Sequence, residues 1–162
     1  MTASATAEGF GAFTVRVAAG PADLEACFAV RKEVFVVEQG VPEEIEYDAC
    51  DAGAVHVLAS GAAGPLGTGR LLHGPAALDR TGGDASVGSL GRLAVTGAAR
   101  GLGVGAALVR AIEGEARRLG LAAVDLHAQT RAAGFYERLG YAAYGPEFLD
   151  AGMPHVAMRR AL

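Results

Sequence analysis

Between residues 100 and 106 the chain reads Arg100-Gly101-Leu102-Gly103-Val104-Gly105-Ala106, three alternate glycines behind an arginine. Glycines there let a backbone approach a ligand closely. A helix starting at this point has first-turn amides without intrahelical partners, and its dipole favours an anion. A phosphate or pyrophosphate is the natural guest; the plainer reading is a tight turn and close helix–sheet packing. Gly101, Gly103 and Ala106 also fit the dinucleotide fingerprint GxGxxA, with Asp125 as the acidic residue 24 positions beyond Gly101. Against that, Gly97–Arg100 intervene between the preceding strand and the fingerprint, and few residues remain for a second nucleotide-binding half. No Gly-Lys-Ser/Thr occurs, so this is not a Walker P-loop.

The elements that must position this segment follow from hydrophobic period and punctuation. Phe13–Val17 alternates as a short strand, and residues 1–12 read as a loose tail before one domain spanning 13–162. Pro21 at a helix start, with Leu24, Phe28, Val30, Val34 and Phe35 at helical spacing, predicts an amphipathic helix over 21–37 that ends at Gly40. An acidic stretch follows, Glu43 to Asp48, which could attract a cationic substrate or simply be a solvated turn. Ala54–Ser60 and Thr68–Leu72 predict a strand pair, Gly74–Gly88 a surface loop, and Ser89–Thr96 a third strand. Residues 103–119 predict the clearest helix. Leu108, Ile112, Ala116 and Leu119 line one face, Arg110, Glu113 and Arg117 the other, and Gly120 is the stop. Ala122–His127, a helix over Thr130–Leu139, and strands at Tyr141–Tyr144 and His155–Arg159 complete the chain. A βαβ unit followed by further strands gives a mixed α/β (α+β) sheet.

Composition sets the outer bounds. The 162 residues suit one domain, and 51% hydrophobic against 20% charged residues can bury a core. A net charge of −4 gives no footprint for nucleic acid. No apolar run approaches a membrane span, and the start lacks the basic-then-apolar pattern of a signal peptide. Cys27 and Cys50 have neither CxxC spacing nor a companion His pair, which predicts no metal and two reduced thiols in a cytoplasmic protein.

Two blocks carry a resemblance. Gly91-Arg92-Leu93-Ala94-Val95 followed by Arg100-x-x-Gly103-x-Gly105 resembles the acyl-CoA-binding motif of the GCN5-related N-acetyltransferases, a strand followed by Q/R-x-x-G-x-G/A. Phe135-Tyr136-Glu137-Arg138-Leu139-Gly140-Tyr141 resembles that family's FYEKLGF box, at the family's spacing. Arg31–Gln39 and Glu147–His155 are similar to the ElaA-like bacterial branch. Gln129 departs from the Asn many members carry, but keeps the same amide chemistry on a longer arm. The resemblance covers roughly residues 13–162 and implies a mixed sheet of six or seven strands. Its two central parallel strands splay, and acetyl-CoA lies in the gap.

What the resemblance implies for the site is specific. The backbone of Leu93, Ala94 and Val95 pairs with the pantetheine, and an amide near Leu93 or Ala94 faces the thioester oxygen. Arg100 and the backbone of Gly101, Gly103, Val104, Gly105 and Ala106 hold the pyrophosphate, and Gln129 contacts pantetheine or the following helix. Tyr136 is the general acid at the leaving thiolate. An aliphatic ammonium is neutral to only a few parts in ten thousand at pH 7, so acetyl transfer needs help with the amine's proton. Candidates are Glu38, Glu46, Asp48, His56, His127 and His155, of which Glu38 and His155 are placed in the acceptor pocket. The implied function is acetyl transfer to a primary amine of a small molecule, peptide or protein. The alternatives are a non-catalytic acyl-CoA-binding module and a dinucleotide-binding oxidoreductase domain. Edge strands of such a sheet could pair two copies into a homodimer.

Overall fold

A computed structural model describes residues 2–6 and 12–162. Eight strands form one sheet: β1 (Thr2–Thr6), β2 (Ala12–Val17), β3 (Val55–Gly61), β4 (Gly64–Leu72), β5 (Val87–Val95), β6 (Ala123–Gln129), β7 (Ala142–Asp150) and β8 (Met153–Ala161). Their spatial order is β1-β2-β3-β4-β5-β6-β8-β7. Among the described residues only β5 and β6 run parallel, joined by the helix Val104–Arg118. This is the mixed sheet expected, with one strand more. Within the segment read as a tail, Thr2–Thr6 pairs antiparallel with Ala12–Arg16, while residues 1 and 7–11 lie outside the described residues. A short polar segment is enough there, because β2 offers an open edge and backbone hydrogen bonds are indifferent to side-chain type.

Helix α1 (Gly20–Arg31) begins with proline in its first turn and runs without a break into a π-helical segment, Lys32–Glu38. A short helix α2 (Glu43–Glu46) and a 3₁₀ turn (Ala49–Gly53) lead into β3. Helix α3 (Val104–Arg118) crosses from β5 to β6, and α4 (Ala133–Arg138) connects β6 to β7. At the end of α3, Leu121 N–H donates to Ala116 O at 2.9 Å and Gly120 N–H to Arg117 O at 3.0 Å, which is the Schellman stop.

The core lies between α3 and the sheet. Leu108, Ile112 and Ala116 are fully buried, the leucine and isoleucine side chains each contributing about 1.5–3 kcal/mol. Helix and sheet touch closely at β4. A Cβ on Gly67 would sit 2.9 Å from Leu108, and one on Gly69 2.8 Å from Ile112. Two positions on this helix depart from the faces read in the sequence. Leu119 is exposed beyond the last turn. Glu113, expected on the polar face, has no exposed surface. It accepts hydrogen bonds from Arg110 at 2.7 Å and Tyr141 at 2.8 Å and pairs with Arg160 at 2.8 Å. Burial favours the protonated acid, but those three donors outweigh it and lower its pKa.

Strands β7 and β8 are longer than predicted and meet in a two-residue turn. Ala151 and Gly152 both have positive φ, the conformation that matches hairpin twist. Among the described residues, no helix is long and apolar enough to cross a membrane.

Candidate active site

The site begins where the sheet comes apart. β5 pairs with β6 only from Val87–Leu90 to Ala123–Leu126. Beyond that, Gly91–Val95 keeps its pairing with β4 on one side, while His127–Gln129 pairs with β8. The cause of the splay is a bulge. Thr68 pairs with Ala94 and Arg70 with Gly91, so Arg92 and Leu93 together face the single residue Gly69. Bulges bend the strand that carries them. Arg92 takes φ 50°, a left-handed backbone uncommon outside glycine. A cavity of about 1140 Å³ opens along the freed edge of β5. The sequence predicted the strand but held no sign of the bulge.

At one end of this cavity lies the start of α3. Gly101 and Gly103 have φ of 80° and 84°, open to glycine and strained for other residues. Gly103 occupies the N-cap and offers no side-chain cap. The first intrahelical bond runs from Ala107 N–H to Gly103 O at 3.1 Å. The amides of Val104, Gly105 and Ala106 precede it and are left for an external acceptor. A Cβ at Gly101 or Gly103 would meet nothing within 4 Å, so backbone faces open space there. Free amides at a helix start with open space before them fit an anion such as a pyrophosphate.

Arg100 reaches across this end. It donates to Val95 O at 3.2 Å and to the Glu38 carboxylate at 2.7 Å. Glu38 lines the same cavity, so it stands on the phosphate side, with its charge engaged by Arg100. A pyrophosphate bound at this helix start would compete with Glu38 for that guanidinium. Both partners are well exposed, and such pairs contribute at most about 1 kcal/mol. Glu38→Gln is therefore expected to tighten acetyl-CoA binding by no more than about fivefold in calorimetric titration. Weaker binding would mean that Glu38 orients Arg100 instead of competing for it.

The middle of the cavity holds the α4 residues. Phe135 and Tyr136 both line it, and their rings pack edge to face at 4.9 Å. Tyr136 is mostly buried. Burial alone raises its phenol above the ordinary range, with no charge or hydrogen bond contributing. Gln129, at the end of β6, donates to Gln39 at 2.9 Å and accepts from Arg131 at 2.9 Å. The π-helical segment supplies the opposite wall with Val34, Phe35, Glu38 and Gln39. A π-turn is uncommon and recurs at functional sites; the regular apolar spacing of 21–37 gave no warning of it.

Two of the candidate histidines also line the cavity. His155 is nearly buried, its Nδ1 2.8 Å from Met153 O and its ring stacked on Phe148. His127 is one-third exposed, and its Nε2 lies 3.8 Å from Asp125 Oδ1. Asp125 itself has no exposed surface, and that oxygen has no hydrogen-bond partner. Its other oxygen accepts from Tyr144 and, at 3.0 Å, from Arg159. Asp125 therefore cannot hold a ribose at the surface, which removes the acidic contact of the dinucleotide reading. His56 lies away from the cavity, with Nε2 2.9 Å from Asp51 O.

The acidic stretch is the largest correction. Instead of facing solvent, Glu46 and Asp48 enter an arginine network. Arg31 donates to Glu46 at 2.7 Å and to Asp51 at 2.7 Å. Arg70 donates to Asp48 at 2.7 Å and to Asp51 at 3.0 Å. Arg92 pairs with Glu46 at 3.2 Å and Asp48 at 3.4 Å. Neither Glu46 nor Asp48 is free to take an amine's proton. The partners lie too far along the chain, on α1, β4 and β5, for any local pattern to reveal them. Among the described residues no cluster of metal-ligating side chains occurs.

Comparison with known proteins agrees with this geometry. The family description "Acetyltransferase (GNAT) domain" matches residues 23–162. The Bacillus subtilis protein named "Uncharacterized N-acetyltransferase YjcF" is 35% identical over 145 residues, covering 89% of this chain and 96% of its own. An acyl-CoA N-acyltransferase from Pseudomonas aeruginosa superposes with TM-score 0.75 at 33% identity, covering 92% of this chain and 98% of its own. Escherichia coli ElaA superposes with TM-score 0.76 at 25% identity, covering 91% and 97%. Splayed parallel strands, an uncapped glycine helix start and the Phe-Tyr helix thus occur together in a chain that belongs to the GNAT acetyltransferase family and is an acetyl-CoA-dependent N-acetyltransferase.

Proposed function

We propose that this chain moves an acetyl group to a primary amine by direct attack on the thioester, with no acyl-enzyme. One observation carries the reading. The unpaired edge of Gly91–Val95, the free amides of α3 and the Tyr136 ring share a single cavity. A pantetheine arm fits that edge as an added strand, with Leu93, Ala94 and Val95 supplying the backbone groups. Val104, Gly105, Ala106 and Arg100 hold the phosphates. An amide at Leu93 or Ala94 faces the oxygen that becomes negative as the amine adds.

Acetyl-CoA supplies an activated acyl group whose leaving thiol has a pKa near 8.5. Tyr136 holds its proton more tightly than an ordinary phenol, so outright transfer to that thiolate runs uphill. Its role is then a hydrogen bond to the departing sulfur, with Tyr136→Phe lowering kcat about 10- to 100-fold. His127 is the base this geometry favours. It faces the cavity beside the splay, and its Nε2 lies 3.8 Å from the buried Asp125 carboxylate. His127→Gln is expected to lower kcat/KM at pH 7 and to recover at high pH, where free amine is abundant. A loss independent of pH would assign His127 to packing.

Calorimetric titration with acetyl-CoA, and with NADH as control, tests the whole reading. Micromolar acetyl-CoA binding without NADH binding is expected, followed by turnover in an amine panel; NADH binding in its place would overturn it. The free thiols Cys27 and Cys50 fit a reducing, cytoplasmic setting.

A further inference from the structure

Beyond the bulge, the far end of the same cavity is built from arginines. Arg70, Arg80 and Arg92 line it together with Ser89. The network they belong to counts four cations, Arg31, Arg70, Arg80 and Arg92, against three carboxylates, Glu46, Asp48 and Asp51, of which Glu46 also lines the cavity. One positive charge is left over. Across the cavity the β7–β8 turn brings Asp150, and His155 lies beside it, but neither pairs with an arginine among the described residues.

Two further observations say which way that charge faces. Arg70 is 2% exposed, and its Nε has no hydrogen-bond partner. A buried guanidinium donor left unpaired is costly and calls for an acceptor. Arg92 is held more loosely than Arg31 or Arg70. Its contacts of 3.1 to 3.4 Å are longer than the 2.7 Å contacts of Arg31 and Arg70. Arg92 lines the cavity with a left-handed backbone, φ 50°, a conformation that is sparsely populated outside glycine and clusters at functional sites. Burial also lowers its pKa, the sign of a cation short of compensating charge.

We propose that this end of the cavity takes a compact oxyanion on the acceptor, so that the acceptor is an amine carrying its own carboxylate or phosphate. The inference rests on the reading that the thioester lies along Leu93–Val95. Arg92 adjoins Leu93 in the chain, so anion and reacting amine would occupy neighbouring positions. The guanidinium fork suits a planar carboxylate and a phosphate alike.

The test uses matched acceptors at saturating acetyl-CoA. The probes are ω-amino acids of three chain lengths, their primary amides, the corresponding alkylamines and the aminoalkyl phosphates. Within a pair, the anionic acceptor is expected to show a kcat/KM about 10- to 100-fold above its amide, the range of one charge-assisted contact. The carboxylate and phosphate arms decide which oxyanion is preferred. Arg92→Gln is expected to bring the pairwise ratio toward one, and Arg92→Lys to keep part of it. If Arg92→Gln melts at assay temperature, Arg80→Gln is read by the same ratio. Equal or reversed preference overturns the proposal, as does failure to acetylate every anionic acceptor while acetyl-CoA still binds. Failure to bind acetyl-CoA at all would instead overturn the reading on which it rests.

Discussion

Arg31→Ala is expected to destabilise the fold by about 3–5 kcal/mol, the range for removing one partner of a buried ion pair. Arg31 is 1% exposed and donates to Glu46 and Asp51 at 2.7 Å each, and to the Glu46 carbonyl at 2.8 Å. Its guanidinium also lies 5.1 Å from the Phe28 ring centroid and 5.4 Å from that of Tyr47. Removing it leaves Glu46, itself 3% exposed, with only the longer 3.2 Å contact to Arg92. The lost packing of the stem adds to that. Urea unfolding monitored by circular dichroism reads the change, and a midpoint shift worth under about 1 kcal/mol would contradict the account.

The same network fixes a pH signature. Burial raises the Asp51 carboxyl, but hydrogen bonding and charge from Arg31, then the hydrogen bond from Arg70, outweigh it and bring it from 3.8 to about 2. A carboxyl depressed in the folded state stabilises above its unfolded pKa and loses that contribution as pH falls through its folded one. The contribution is thus present above about pH 5 and fades toward pH 2, amounting to about 2 kcal/mol. In Arg31→Ala that acid limb should flatten.

Gly103→Glu is expected to weaken acetyl-CoA binding by at least about 100-fold, close to 2.7 kcal/mol. Two effects add. Gly103 holds φ 84°, where a Cβ costs roughly 1–2 kcal/mol of backbone strain. The new carboxylate also sits at the amides the pyrophosphate needs and repels it. No core atom lies within 4 Å of the added Cβ, so the fold should survive with only a modest drop in melting temperature. Gly103→Ala separates the two effects, because it carries the strain without the charge. Unchanged calorimetric affinity in Gly103→Glu would move the phosphate site away from this helix.

How much of this was legible in the sequence depended on range. The start of α3 was readable, because glycines at 101 and 103 and the apolar period after them are local facts, and the positive φ values follow from them. Tyr136 and its neighbours were reachable only through resemblance to a family box. The acidic stretch was misplaced because Glu46 and Asp48 find their partners on α1, β4 and β5, 15 to 46 residues away in the chain. Glu113 was misplaced for the same reason, since Arg160 and Tyr141 close over it from the far end of the chain. The bulge at Arg92 left no trace, as its cause is the pairing of two residues against Gly69. Local chemistry survives translation into one dimension, whereas compensation between distant charges does not.

The open edge of β5 has a consequence for the protein's life as well as its chemistry. A donor molecule that lies along Gly91–Val95 is a structural member of the sheet while it is bound. The free energy of that attachment is folding free energy, about 2.7 kcal/mol when the donor stands at a hundred times its dissociation constant. Proteolytic lifetime and amide exchange along β5 then follow the donor concentration. When donor runs short, the enzyme that consumes it is also the one most readily cleared.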